Sequence, residues 1–323
     1  MTYEEFIGDW LNDNNYIKVM TSGSTGKPKK IKLSKEFMAQ SALRTIRFFK
    51  INNKFHLHSC ISPDFIGGKM MAVRALVADC NLTWETPSNR PLRSFKSNQK
   101  IDLLAVVPSQ MDFIVENLDS LPKINTIIIG GSPISSVLRN RIVQSGLNAY
   151  ETYGMTEIAS HIALRRISSE DLPFTTLDDI RVEADESSRL IIKFHNREKI
   201  VTNDIARLLS PTQFYILGRA DNIINSGGKK ISPEVLEEKI SDEIENSFVI
   251  VGKPDEKWGE RIVLVIEEQP KNYDKDIILK KCIARMESWQ VPKEIIFVKK
   301  IPRTSNGKII RPHSNFDFFS SLL

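Results

Sequence analysis

Ten residues, Thr21-Ser22-Gly23-Ser24-Thr25-Gly26-Lys27-Pro28-Lys29-Lys30, combine four hydroxyls, two glycines and three lysines. That mixture suits phosphate. Glycines let a ligand approach the backbone, hydroxyls and amides donate to phosphate oxygens, and lysine adds a mobile point charge. The nearest familiar pattern is the P-loop, Gly-x4-Gly-Lys-[Ser/Thr] opening a helix. Here only two residues separate Gly23 from Gly26, and Pro28 stands where a magnesium-binding hydroxyl belongs. Residues 30–33 then alternate polar and apolar, which reads as strand. The loop therefore joins strands at 17–20 and 30–33, and a P-loop kinase is excluded on geometry. A solvated hairpin tip of the same composition is the bland alternative.

Four other stretches carry chemistry. Glu151-Thr152-Tyr153-Gly154-Met155-Thr156-Glu157 reads as a turn-forming segment with an aromatic ring to stack on a base, a hydroxyl for phosphate in Thr156 and a carboxylate for Mg²⁺ in Glu157. Alone it is also compatible with a plain loop. Asp204, in Val201-Thr202-Asn203-Asp204, could accept two hydroxyl protons from a ribose diol, or be a turn aspartate. Residues 218–237 join Arg219, Asp221 and the pair Gly227-Gly228, and residues 302–311 end in Lys308 within a Gly-Lys turn that alone reads as a basic surface hairpin. Arg74 interrupts an apolar helix, so its charge needs a partner: a substrate carboxylate, or a structural ion pair with Asp79 or Asp64. His161 reads as an acyl-pocket residue or a buried structural histidine.

The elements that must position these residues follow from periodicity. Helices are expected at 2–11, capped by Thr2 and Glu5, at 34–49, 65–77 and 134–144, and strands at 56–60, 82–85, 101–107 and around 126–129. This alternation predicts an α/β sheet covered by helices. Ligands bind such sheets beyond strand carboxyl ends, which points to Gly130, Gly131 and Ser132. Residues 162–217 read as short antiparallel strands. A smaller α+β unit follows: a helix opened by Ser232 and Pro233, strands at 248–251, 261–266 and 294–298, and a helix at 274–287. The expected domains are residues 1–220 and 221–323.

The totals fit a globular protein of 323 residues, 41% hydrophobic and 26% charged. Its net charge of +5 is spread along the chain, which argues against nucleic acid and favours small anionic ligands. Cys60, Cys80 and Cys282 lie far apart without metal-ligand spacing and read as reduced core thiols, so a cytoplasmic location is expected. Residues 1–5 are acidic and precede no long apolar run, so neither a secretory signal nor a membrane span is expected.

Taken together and in order, these motifs resemble the adenylate-forming superfamily of acyl-CoA synthetases, peptide-synthetase adenylation domains and luciferases. The resemblance covers nearly the whole chain, including Ile250 to Val263 (IVGKPDEKWGERIV), most like the CoA ligases. It implies an α/β fold with a large N-terminal domain of helix-covered sheets and a small mobile C-terminal domain. It implies that Thr21 to Lys27 bind phosphates, that Gly131, Ser132, Pro133 and Thr152 to Met155 bind the nucleotide, and that Asp204 and Arg219 bind ribose. Thr156, Glu157 and Lys308 are the implied catalytic residues, Asp221 the hinge, and Gly227 and Gly228 the path for CoA. Gly130, Arg74 and His161 are the candidates for the acid pocket.

The chain departs from the family in two respects. Members usually carry well over a hundred residues before the phosphate hairpin, and here there are twenty, which implies a minimal enzyme and leaves a homo-oligomer open. The ribose site usually reads Thr-Gly-Asp, and here it is Thr202-Asn203-Asp204. Residues 62–76 and 160–167 resemble the o-succinylbenzoate–CoA ligases of menaquinone synthesis. The implied reaction joins a carboxylic acid to CoA through an acyl-adenylate, with ATP, Mg²⁺ and CoA. Another acyl- or aryl-CoA ligase, a carrier-loading enzyme and a non-catalytic nucleotide-binding module are the alternatives.

Overall fold

The computed structural model describes residues 1–21, 29–96, 98–195, 198–267, 274–303 and 309–311. The fold is α/β. Its contacts divide it into two compact units, Met1–Ile134 with Leu138–Ile180, and Ser135–Val137 with Arg181–Leu323.

The first unit begins with α1 (Tyr3–Leu11), started by the expected capping box: Thr2 Oγ1 accepts from Glu5 N at 3.1 Å and Glu5 Oε2 accepts from Thr2 N at 2.7 Å. Strands β1 (Tyr16–Met20) and β2 (Lys30–Ser34) pair antiparallel, with Val19 opposite Ile31. Thr21 N donates to Lys29 O at 2.8 Å and closes the neck of that hairpin. The phosphate loop itself, Ser22 to Lys27, lies outside the described residues. Ser34 caps α2 (Lys35–Phe49) through its hydroxyl, which accepts from Phe37 N.

A mixed sheet carries the rest of this unit. Its elements are β3 (His56–Ser59), α3 (Ile66–Ala78), β4 (Asn81–Trp84), β5 (Lys100–Ile101), β6 (Leu103–Val106), α4 (Pro108–Glu116), β7 (Lys123–Ile124), β8 (Ile127–Ile129), α5 (Ser136–Gln144), β9 (Ala149–Met155), β10 (Ser160–Arg166) and β11 (Phe174–Thr176). The strand order is β4-β3-β6-β8-β9-β10-β11, parallel from β4 to β9 and antiparallel beyond. Strands β6 and β8 are buried throughout, as continuous apolar runs in a covered parallel sheet should be.

Two local expectations need correction. Residues 101–107 are not one strand: the chain bends at Asp102, whose carboxylate accepts from His56 N at 3.0 Å and Asn125 Nδ2 at 2.8 Å and pairs with Lys100 at 2.6 Å. A polar side chain satisfied by backbone and neighbours competes with the ladder there. Residues 151–155 are strand, not turn, and only Thr156–Ile158 turns, as one 3₁₀ step. Gly154 permits this, because a Cβ there would lie 1.9 Å from Ser160 O on β10.

The second unit opens with an antiparallel meander of β12 (Arg181–Ala184), β13 (Arg189–Lys193), β14 (Ile200–Ser210) and β15 (Gln213–Arg219). A 3₁₀ turn at Ala220–Asn222 leads to β16 (Ile224–Ser226), β17 (Lys229–Ile231), α6 (Pro233–Ile240), β18 (Phe248–Asp255), β19 (Gly259–Glu267), α7 (Lys275–Arg285) and β20 (Glu294–Val298). Strand alternation splits its core. Ile250, Ile262, Leu264 and Ile266 pack with Leu236 and Ile240 of α6 and Ile278 and Cys282 of α7, while Val249, Val251, Val263 and Val265 pack with Val298 and Ile301. Pro233 opens α6 as expected, but the Ser232 hydroxyl donates to Leu217 O at 2.5 Å instead of capping the helix. Among the described residues no helix is long and apolar enough to cross a membrane.

Candidate active site

In the first unit the expected nucleotide residues gather at the ends of β8 and β9. These strands are parallel neighbours with Ile129 opposite Glu151, so Gly130 falls beside Thr152 at their carboxyl ends. Gly131, Ser132 and Pro133 continue from β8, and Tyr153, Gly154 and Met155 complete β9. Tyr153 tilts against Phe174 with ring centroids 5.8 Å apart. The buried Thr156 and the exposed Glu157 sit on the 3₁₀ turn beyond. Glu151 has a different job: it is 5% exposed and held by Arg165 at 2.8 Å and Arg139 at 3.5 Å.

Arg74 and His161 meet in the core of this unit. Arg74 is 1% exposed on α3, and its Nε has no hydrogen-bond partner. Its Nη2 faces His161 Nδ1 at 3.4 Å and its Nη1 faces Met71 Sδ at 3.7 Å. A guanidinium only donates, so His161 Nδ1 accepts, and the ring proton sits on Nε2, donated to Thr45 Oγ1 at 2.9 Å. Burial, reinforced by the Arg74 charge, holds His161 well below the usual histidine range, and burial lowers Arg74 to about 9. Among the described residues Arg74 has no ion pair. Asp64 is engaged by the N-terminal amine at 3.2 Å and by Ser62 at 2.9 Å, and Asp79 ends α3 in a left-handed conformation.

In the second unit Asp204 and Arg219 are direct cross-strand partners on β14 and β15. Arg219 Nη1 donates to Asp204 Oδ1 at 3.1 Å and Nη2 to Asp221 Oδ2 at 2.9 Å. Asn203, which stands where the resembling family has glycine, donates to both Asp221 oxygens, at 3.0 and 3.2 Å. Sequence alone assigns Asn203 no role, because its partner lies eighteen residues away. Gly227 and Gly228, with φ of +57° and +77°, form the two-residue turn between β16 and β17, a conformation that suits glycine. Lys308 lies outside the described residues, but both flanks of its hairpin are described. Arg303 bridges Ile309, Ile310 N donates to Pro302 O at 2.9 Å, and Arg311 clasps Glu237 of α6.

Comparison with known proteins agrees with this layout. The chain is 25% identical to the 2-succinylbenzoate–CoA ligase of Listeria monocytogenes, over 95% of this chain and 71% of that protein. It is 24% identical to the ligase of the same name from Bacillus cereus, over 91% and 68%. Among solved structures it resembles an acyl-CoA synthetase (AMP-forming)/AMP-acid ligase II-like protein from Dyadobacter fermentans. That protein is 30% identical, with a TM-score of 0.62, covering 99% of this chain and 93% of the other. The o-succinylbenzoate CoA synthetase of Bacillus subtilis, bound to its acyl-adenylate intermediate, has the same fold with a TM-score of 0.78 at 20% identity, covering 91% and 67%. Residues 240–308 match the C-terminal domain of the AMP-binding enzymes. Residues 11–186, more than half of the sequence, match the AMP-binding enzymes themselves, and the chain belongs to that family.

Proposed function

We propose that this chain is an AMP-forming acid–CoA ligase whose acid is o-succinylbenzoate, with ATP, Mg²⁺ and CoA as the other reactants. The ligase activity follows the family and the names of the relatives. The observation that carries the choice of acid is Arg74: a buried cation with an unpartnered Nε and no ion pair among the described residues. Such a charge costs several kcal/mol until an anion meets it. A dicarboxylate supplies that anion, because only one of its carboxylates reacts. His161, held neutral beside Arg74, adds no competing positive charge.

The chemistry needs no general base, because the acid is already a carboxylate. Its oxygen attacks the α-phosphorus of ATP and pyrophosphate leaves. The CoA sulfur then attacks the acyl carbon, AMP leaves, and the thiol proton passes to solvent. Residues 21–27 hold the outer phosphates, and Gly131 to Pro133 with Thr152 to Met155 hold the nucleotide. Asp204 and Arg219 take the ribose hydroxyls, whose protons the carboxylate of Asp204 is suited to accept. Glu157 is exposed and joins no ion pair among the described residues, which fits a ligand to Mg²⁺; that ion supplies charge neutralisation at the phosphates. Lys308 stabilises charge developing between carboxylate and phosphate. Residues 1–220 and 221–323 act as the two working domains, turning about Asp221 so that Lys308 serves the first step and Gly227-Gly228 admit the pantetheine arm for the second. The Arg219 and Asn203 contacts to Asp221 support it as the pivot.

The test is a panel of acids assayed with ATP and CoA. o-Succinylbenzoate should exceed benzoate and octanoate by at least ~100-fold in kcat/KM, the scale seen when a buried polar group is left unmatched. A monoacid that outcompetes the diacid would refute the substrate and leave the ligase activity standing.

A further inference from the structure

The parallel pairing of β3 with β4 brings together three side chains of different chemistry from separate stretches of the sequence. His58 lies on β3, Cys60 just past its end, and Glu85 just past the end of β4, since Ser59 pairs with Trp84. One ligand atom from each, nitrogen, sulfur and oxygen, lies within 4.8 Å of the other two. His58 and Cys60 are each 1% exposed. His58 Nε2 is buried without a hydrogen-bond partner and lies 4.0 Å from Glu85 Oε2.

A proton relay explains why that nitrogen is bare. Lys100 O can only accept, so in a neutral imidazole His56 Nδ1 carries the proton at 2.8 Å and Nε2 is an acceptor. The Thr83 hydroxyl, 2.6 Å away, therefore donates to His56 Nε2. Its oxygen is left to accept from His58 Nδ1 at 2.8 Å. His58 thus carries its proton on Nδ1 and aims the Nε2 lone pair at a carboxylate and a sulfur. Burial and the Glu85 carboxylate, which shares a hydrogen bond with the Cys60 side chain, keep that thiol protonated when no cation is bound, and His58 Nε2 is left as the buried acceptor without a partner.

The backbone holds this arrangement. Cys60 N donates to Ala105 O at 3.0 Å and Glu85 N to Ser59 O at 3.3 Å, while the Glu85 carboxylate is anchored by Leu92 N at 2.8 and 3.0 Å. Thr83 behind His58 is the kind of outer partner that orients a metal-binding histidine. His58 also borders a groove of about 550 Å³, with the Phe95 ring edge-on at 4.6 Å.

We propose that His58 Nε2, Cys60 Sγ and a Glu85 carboxylate oxygen form a site for a borderline-soft divalent cation of the zinc class, separate from the Mg²⁺ that accompanies ATP. Bonds of about 2.0–2.3 Å to N, O and S in a tetrahedron require the three donors to draw in by roughly an ångström, and leave a fourth position for water. Imidazole plus thiolate selects zinc over magnesium or calcium. On binding, the metal–sulfur bond replaces the S–H bond of Cys60, and the proton goes to buffer. The ion would tie the edge strand β4 to β3.

The experiment uses the full chain, freed of metal by chelation and carrying no histidine tag. Co²⁺ is the spectroscopic probe. One equivalent should bind, with a thiolate-to-cobalt charge-transfer band and release of about one proton per ion. Zn²⁺ should displace it and raise Tm, while millimolar Mg²⁺ should do neither. Cys60→Ser should abolish the band and Cys80→Ser should keep it. Glu85→Gln should weaken binding by at least ~10-fold, the lower end for loss of a supporting group at a metal site. If Cys60→Ser does not fold, the wild-type band and proton count still decide, and Zn²⁺ should protect Cys60, but not Cys80, from alkylation. No band in the wild type, or a band that survives Cys60→Ser, would overturn the site.

Discussion

Arg311 grips Glu237 with two nitrogens, at 2.7 and 2.6 Å, three residues beyond Lys308. The same guanidinium donates to Ile250 O at 2.9 Å, and Glu237 accepts from Ile250 N at 2.6 Å. The far end of the lysine hairpin is therefore pinned to α6 and β18 together. Glu237→Gln should remove the charge partner while keeping a similar shape. A loss of up to about 3 kcal/mol is expected, below the full cost of breaking a completely buried pair because both side chains retain some exposure. Chemical denaturation measures it. Unchanged stability would show that the pair is ornamental.

Lys308→Ala should slow formation of the acyl-adenylate by ~10²–10³-fold, the loss typical of one donor to a transition state. Thioester formation from supplied acyl-adenylate should change far less. Pyrophosphate release and single-turnover thiolysis separate the two steps, and equal loss in both would remove the assigned role.

Asp221 lies between β15 and β16 and is held by Arg219 and Asn203. Asp221→Pro restricts φ there and removes an amide donor. One half-reaction should persist while the other falls sharply. Wild-type rates in both steps would place the pivot elsewhere.

Arg74→Ala should raise KM for o-succinylbenzoate by at least ~10-fold and leave ATP affinity nearly unchanged, since loss of a paired buried charge is worth well over ~1.4 kcal/mol. The same guanidinium is lowered to about 9 by burial, so it is cationic at neutral pH. Diacid binding should therefore weaken as the pH rises through about 9. Equal loss of ATP affinity would mean that Arg74 supports the fold and not the acid.

Stability should also fall in acid. The folded-state pKa of His161 is lowered below its unfolded value of 6.5 by burial first and by Arg74 second. Below that value the unfolded chain binds a proton that the folded chain refuses, so unfolding is favoured as pH drops. One such group contributes a slope of up to about 1.4 kcal/mol per pH unit. His161→Gln should flatten the slope between about pH 6.5 and 5 but not abolish it, because His58 is also lowered, to about 4. Parallel pH profiles in urea denaturation would contradict the assignment.

Local signals made much of this protein legible. Thr2 and Glu5 announce α1, Ser34 announces α2, and the apolar runs of β6 and β8 announce covered parallel strands, because capping and periodicity act within a few residues. The order of the motifs was enough to suggest the family. Local reasoning failed where a distant partner decided the outcome. Asp102 breaks a strand because His56 and Asn125 need its carboxylate, and Gly154 extends one because β10 runs against it.

The candidate sites divide along the same line. Composition and spacing alone selected residues 21–27 and Arg74 as candidates, since glycine, hydroxyl and charge in a short span are readable from order, while the ribose role of Asp204 and Arg219 came from the resemblance to the family. Whether Arg74 had an aspartate or a neutral histidine for company depended on how α3 meets β10. The convergence of His58, Cys60 and Glu85 was hidden for the same reason. A whole helix, α3, separates Cys60 from Glu85 in the chain, and only the parallel pairing of β3 with β4, a contact between segments distant in sequence, places them side by side.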